Sequence, residues 1–178
     1  MDKRAKYISS TVFSALIVVF LYIVLHEFGH MIVMLSAGAT ITEFSISGAH
    51  VSAVGGSYTN VSKMWLHVNG AVFPLLISYL YLLLYRRSIK NTYYRVFSLF
   101  LGVIPAASLL AWVFVPLLYM SGNAPSGDDV SMFLYTFSQS FHPIIVSLVA
   151  LVLIGVSVLL MIKKGVIHNF GEEVKALR

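Results

Sequence analysis

The chain of 178 residues contains no cysteine, and only 11% of its residues are charged. Without cysteine the protein has neither disulfides nor thiolate ligands, so a metal site would have to use histidine and carboxylate side chains. The small charged fraction excludes an ordinary soluble domain, in which about 25% of residues are charged. Because 58% of the residues are hydrophobic, the composition indicates an integral membrane protein whose surroundings are the lipid bilayer.

Acidic residues are also scarce, with 7 Asp and Glu against 12 Lys and Arg. The basic residues form short patches beside the apolar runs, at positions 3–6, 86–95 and 163–164. This placement is typical of topology signals, and we expect no nucleic-acid partner. If the chain crosses the membrane four times, all three patches fall on one side, which predicts a multi-pass protein with both termini in the cytoplasm.

Long apolar runs predict an all-α multi-span membrane bundle of about four transmembrane helices, forming a single integral membrane domain over residues 1–178. The predicted spans cover residues 7–37, 64–85, 96–120 and 141–162. Residues 40–62 are instead rich in β-branched side chains interrupted by glycine, which predicts a small β-hairpin after the first helix. Residues 121–130 form a turn-rich acidic loop before the last span.

The sequence His26-Glu27-Phe28-Gly29-His30 lies inside the first apolar run. Residues four positions apart share one face of a helix, so both imidazoles can point at one atom. This is the His-Glu-x-x-His pattern of zinc hydrolases, in which two histidines bind Zn²⁺ and the glutamate handles a proton of water. The alternatives are polar residues that hold helices together or a chance match. Because ionisable groups are costly in a bilayer, we interpret the pattern as a metal site.

Two further groups of polar residues leave alternatives open. Asp128 and Asp129 can cap a helix, and a carboxylate in that loop can also bind a metal. The four-span topology places this loop on the same side as the C-terminal end of the first span. Asn69 either orients a substrate or makes a hydrogen bond between helices, and we expect His67 to be an interfacial histidine rather than a ligand.

The predicted hairpin also has two interpretations. The edge of a sheet beside a protease site can bind an extended substrate by strand addition, whereas the alternative is a simple surface loop. Glu43 and His50 in this segment are within conceivable reach of a metal, but such residues are more often solvated.

The His-Glu motif in a transmembrane helix, followed by Gly38 and a β-like stretch, resembles the site-2 protease family of intramembrane zinc metalloproteases. The resemblance covers most of the chain, as a divergent and minimal member. It implies an intramembrane zinc metalloendopeptidase that cleaves a transmembrane or membrane-proximal peptide bond of a membrane protein substrate.

The resemblance also implies roles for individual residues. Glu27 would be the general base, and His26 and His30 would be Zn²⁺ ligands. In the family an aspartate at the start of the third core helix supplies the third ligand; we choose Asp128, with Asp129 as the alternative. Asn69 is our candidate for substrate binding. The chain departs from the family pattern because Gly127-Asp128-Asp129 replaces the usual aspartate-glycine pair and one additional span precedes it.

Two other functions fit the same residues. One is a non-proteolytic metal-binding membrane protein that serves as a regulatory or binding partner. The other is a small transporter component in which the histidines relay ions, with flux that depends on His26 but not on Asp128.

Overall fold

The computed structural model describes residues 2–177, which form six helices and one sheet of two strands. The helices are α1 (Lys3–Ser36), α2 (Asn60–Leu84), α3 (Thr92–Met120), α4 (Asp129–Phe137), α5 (Ile144–Lys164) and α6 (Val166–Lys175). The strands are β1 (Ala39–Ser45) and β2 (His50–Gly55), and they lie between α1 and α2.

Helices α1, α2, α3 and α5 are long and apolar enough to cross a membrane. Their ends fall within about one helical turn of the spans expected from the sequence. The predicted fold class, a multi-span helical bundle with a hairpin after the first helix, is therefore confirmed. The two remaining helices are short, and α4 begins at Asp129, within the residues predicted as the acidic loop.

The hairpin stays close to the end of α1. Its strands pair antiparallel from Ala39 opposite Gly55 to Ser45 opposite His50, with an irregular register between Ile41 and Glu43. The backbone amide of Ser57 donates a hydrogen bond to the carbonyl of Ala37 at 2.9 Å, so the chain returns to the α1 terminus after β2. This return places the hairpin beside the C-terminal half of α1, where the His-Glu motif lies.

The main hydrophobic core lies where α2, α3, α4 and α5 meet. Its buried residues are Ala71, Leu75, Leu109, Trp112, Val113, Val115, Val130, Leu134, Val146 and Ala150. Trp112 of α3 contacts Phe133 of α4 edge to face, with ring centroids 5.3 Å apart. Because aromatic and aliphatic contacts of this kind stabilise packing, α4 is anchored in the bundle and the position of its N-terminus is fixed.

The interior and exterior of the bundle match a bilayer environment. Inside, the Ser78 hydroxyl donates to the Leu101 carbonyl and the Ser147 hydroxyl to the Val113 carbonyl, both at 2.8 Å. Small polar side chains of this kind link membrane helices. Outside, large apolar side chains point away from the protein, with Leu16 64% and Val152 65% exposed. Such a surface is suited to lipid rather than water.

Candidate metal centre

Three side-chain atoms converge between α1 and α4. His26 Nε2 and His30 Nε2 lie 3.1 Å apart, and Asp129 Oδ2 lies 3.1 Å from each of them. A tetrahedral zinc ion with bonds of roughly 2.0–2.1 Å separates its ligand atoms by about 3.3 Å. The three atoms therefore have the spacing of ligands around one ion, and this His26, His30 and Asp129 group can hold a metal.

The orientation of His30 suits a metal ligand. Its Nδ1 lies 2.6 Å from the backbone carbonyl of Leu66 in α2. A carbonyl only accepts, so Nδ1 must carry the proton, and the neutral ring then presents an unprotonated Nε2 to the cluster. A hydrogen bond of this kind to the second ring nitrogen is typical of metal-binding histidines. By contrast, His26 Nδ1 is buried and has no hydrogen-bonding partner among residues 2–177.

Gly70 of α2 provides the space that both imidazoles occupy. A Cβ atom at this position would lie 2.5 Å from His30 Nε2 and 2.8 Å from His26 Cε1, so any side chain here would displace the rings. Helix α2 also approaches α1 closely at Asn69, the residue before Gly70. A Cβ atom on Gly29 of α1 would lie 2.3 Å from the Asn69 carbonyl oxygen. The two glycines therefore allow α2 to cross α1 at the metal centre.

The structure separates the roles of the two adjacent aspartates. Asp128 is the N-cap of α4, and its carboxylate accepts a hydrogen bond from the Ser131 backbone amide. Its side chain therefore turns back onto its own helix, and Asp129, the first residue of α4, faces the histidines. The three converging residues therefore include Asp129, which was our alternative, and not Asp128, which was our first choice.

Asp129 is the charged centre of a cluster of three histidines. Its Oδ2 faces His26 and His30, and its Oδ1 lies 3.3 Å from His67 Nδ1. Burial raises the pKa of the Asp129 carboxyl, but the hydrogen bonds with these imidazoles lower it by more. The resulting pKa lies well below the usual value for aspartate, so the carboxylate is ionised at neutral pH.

Glu27 lies beside the cluster and lines the same cavity. The residue is only 4% exposed, and it is not one of the three converging ligand residues. The cavity has a volume of about 450 Å³. Its other walls come from α1, α2, the acidic loop and the hairpin, whose contributions are Ala49, His50 and Val51. A carboxylate in this position can exchange a proton with a molecule held at the ligand atoms.

Two polar residues of the hairpin pair with each other rather than with the cluster. Glu43 Oε1 lies 3.3 Å from His50 Nε2, and both side chains are about half exposed. They are therefore partly solvated, as expected from the sequence.

Asn69 makes the helix-to-helix contact that was one of its two interpretations. Its amide nitrogen donates to the Gly29 carbonyl in α1 at 2.7 Å. The cavity that holds the ligand atoms is lined by its neighbours Leu66 and His67 but not by Asn69. The structure thus gives Asn69 a role in fixing α2 against α1, and our expectation that it binds substrate stays a prediction.

From the sequence we expected His67 to be an interfacial histidine rather than a ligand, and the structure places its side chain against Asp129 of α4, outside the group of three converging residues. We assigned no role at the site to Gly70 or to the Leu66 carbonyl. Leu66, His67 and Gly70 all lie on α2 within about one helical turn. Their spacing was the available signal, because a histidine and a glycine three residues apart share one face of a helix.

Comparison with known proteins found no match to a family model, to a curated protein or to a solved structure.

Proposed function

We propose that the protein is an intramembrane zinc metalloendopeptidase that cleaves a transmembrane or membrane-proximal peptide bond of a membrane protein. The observation that carries this proposal is the convergence of His26, His30 and Asp129 at 3.1 Å separations, with Glu27 lining the same cavity. Two imidazoles, one ligand carboxylate and one further carboxylate are the components of a hydrolytic zinc site. The resemblance to the site-2 protease family rests on the same residues.

The donor set favours zinc among common metals. Imidazole nitrogens suit zinc and other transition metals, whereas magnesium and calcium prefer sites built of oxygen ligands. Three protein ligands leave one of the four tetrahedral positions for water or substrate, which is the arrangement of catalytic rather than structural zinc. When bound, zinc would lower the pKa of water and polarise a peptide carbonyl.

The residues of the chain would divide the remaining work. His30, held by its hydrogen bond to Leu66, and His26 would bind the ion from α1, and Asp129 would bind it from α4. Glu27 would accept the proton from water and pass it to the nitrogen of the leaving amine. Its near-complete burial keeps the side chain largely out of bulk solvent, and it lines the cavity that contains the three converging atoms.

The substrate must present an extended peptide to this cavity. Carbonyl groups within a transmembrane helix are already hydrogen-bonded, so a substrate helix has to unwind before attack. The hairpin forms one wall of the cavity, and each of its two strands has one edge that pairs with no other strand of residues 2–177. Strand addition at such an edge would hold the unwound segment.

The basic patches support an orientation in the membrane. They follow the positive-inside pattern if both termini are cytoplasmic. The C-terminal α6 packs beside the start of α1, where the rings of Tyr7 and Phe170 lie 6.2 Å apart. In this orientation the metal centre would lie toward the non-cytoplasmic face.

The variant Glu27→Gln tests the proposal. We expect it to retain one zinc ion per chain, because Glu27 is not among the ligands, and to lose cleavage of single-span membrane proteins reconstituted with it in proteoliposomes. Products would be identified by mass spectrometry and zinc by elemental analysis. The matched control is Glu172→Gln on the exposed surface of α6, which should retain both zinc and cleavage.

Other outcomes would replace this function. Cleavage by Glu27→Gln at the wild-type rate would contradict the proposed general base. If the wild type binds one zinc ion per chain but cleaves none of the single-span membrane proteins tested, a non-proteolytic metal-binding protein would be favoured. Flux of ions that depends on His26 but not on the third ligand would favour a transporter component.

A further inference from the structure

His67 occupies a position that the proposed function does not use. It lies on α2, its side chain is 19% exposed, and its Nδ1 is 3.3 Å from Asp129 Oδ1. The contact is on the opposite oxygen from the one that faces His26 and His30. The three α1 and α4 ligand atoms lie within 4.8 Å of one another, and His67 is not part of that group. Its position therefore allows it to act through Asp129.

The direction of the hydrogen bond follows from the charge of the carboxylate. An ionised carboxylate only accepts hydrogen bonds, so His67 Nδ1 must carry a proton to make this contact. Charge-assisted hydrogen bonds of this kind are stronger than those between neutral groups. The bond also occupies one carboxylate oxygen and turns the other toward the histidines.

We infer that His67 is a positioning residue that holds Asp129 as a ligand through Oδ2 alone. With Oδ1 bonded to His67, the carboxylate offers one oxygen to the ion instead of two. The protein then supplies three ligand atoms, and the fourth position of a tetrahedral ion is left for water or substrate. This inference rests on the metal centre of the proposed function but does not require that the protein be a protease.

A second feature fits this role. His67 and Leu66 also line a neighbouring cavity of about 500 Å³ between α2 and α4, whose wall includes Met132 and Tyr135. His67 thus lies between this cavity and the one that holds the ligand atoms. The hydrogen bond to Asp129 connects α2 to the first residue of α4 at that boundary, so loss of the bond would free the ligand carboxylate to rotate.

The test measures metal binding by the full-length protein in detergent, with Co²⁺ and Zn²⁺ as probes. His67→Ala removes the donor, and His67→Phe removes it while keeping a ring of similar size. We expect both variants to bind one ion per chain with an affinity about 10–100-fold lower. This is the range observed when a residue that orients a metal ligand through a hydrogen bond is removed. The Co²⁺ absorption should weaken and shift, because the released carboxylate can bind through both oxygens and raise the coordination number.

His67→Asn is the rescue variant. Its amide nitrogen replaces Nδ1 in position and donates a hydrogen bond, so it should restore most of the affinity and the wild-type Co²⁺ spectrum. If the imidazole served only to fill space between the helices, His67→Asn would not restore the wild-type Co²⁺ spectrum. His168→Ala is the matched control, since this histidine is exposed on α6 at the other end of the bundle, and it should bind metal like the wild type.

The outcomes separate this inference from the proposed function. Wild-type affinity and spectrum in His67→Ala and His67→Phe would overturn it, as would complete loss of the ion in both, which would make His67 a direct ligand. A wild-type protein that binds neither metal would overturn the metal centre together with this inference. Weakened binding in the His67 variants of a protein that cleaves no substrate would overturn the protease and leave the role of His67 intact.

Discussion

At the end of the bundle where α6 packs beside the start of α1, buried and partly buried polar groups form hydrogen bonds with one another. The Asn169 amide donates to the Tyr85 hydroxyl at 2.8 Å and to the Arg87 carbonyl at 2.9 Å. The Arg95 guanidinium donates to the Glu173 carboxylate at 2.8 Å. At the other end, about 28 Å further along α1 from Tyr7, the Nε2 atoms of His26 and His30 and the Oδ2 atom of Asp129 face one another.

The difference between these two ends distinguishes a structural network from a binding site. At the α6 end the two Asn169 N–H groups and the Arg95 Nη1 group each donate to an acceptor of the protein, so these contacts need no ligand. At the candidate metal centre His30 Nδ1 donates its hydrogen bond to the Leu66 carbonyl. The atoms that face each other across the cluster are His30 Nε2 and Asp129 Oδ2. A ring nitrogen and a carboxylate oxygen at this distance need a proton or a cation between them. A cation is the occupant that the proposed function assigns to this position.

The adjacent aspartates give the strongest test of this contrast. Asp129→Asn should lower zinc affinity by more than roughly 100-fold, since loss of a direct ligand should exceed the 10–100-fold effect of outer contacts. Asp128→Asn should leave the affinity unchanged, because asparagine caps a helix as well as aspartate does. Affinity would be measured by competition with a coloured chelator. A larger loss of zinc affinity in the Asp128 variant than in the Asp129 variant would indicate that Asp128 is the third ligand.

Gly70 gives a smaller effect with a matched control. In Gly70→Ala the new Cβ would collide with both imidazoles, so the rings must move and zinc affinity should fall by about tenfold or more. In Gly155→Ala the new Cβ meets no atom within 4 Å, and alanine favours a helix by about 1 kcal/mol over glycine. This control should therefore bind zinc normally and unfold at the same temperature or higher. Equal affinities in the two variants would mean that the rings have room to adjust.

Much of the fold was predictable because it depends on patterns along the chain. Four long apolar runs predicted the four long helices, and β-branched segments separated by Gly48 predicted the hairpin. The paired histidines were predictable for the same reason, since positions 26 and 30 share a helix face whatever the tertiary structure. Each of these features is set by residues that are neighbours in sequence.

The rest of the site depends on how the helices meet. Which of Asp128 and Asp129 faces the histidines depends on the position at which α4 begins, and a shift of one residue would exchange them. Helix boundaries are among the least predictable features of a sequence. His67 and the Leu66 carbonyl reach the cluster only because α2 crosses α1 at Gly29, a contact that no pattern within one helix specifies. The sequence therefore predicted the paired histidines on one helix, but not which groups of the neighbouring helix contact the cluster.

The smallest expected effect on metal binding lies at the α6 end, where the comparison predicts a change in stability and no change in zinc affinity. Asn169→Ala removes both hydrogen bonds and leaves the buried Tyr85 hydroxyl and the Arg87 carbonyl without that donor. The free energy of unfolding in detergent should fall by about 1–3 kcal/mol, the cost of unsatisfied buried polar groups. Zinc affinity should stay at the wild-type value. Asn123→Ala, at an exposed loop residue with local hydrogen bonds, is the control and should change neither quantity. Zinc loss in the Asn169 variant would show that the two ends of the bundle are energetically coupled rather than independent.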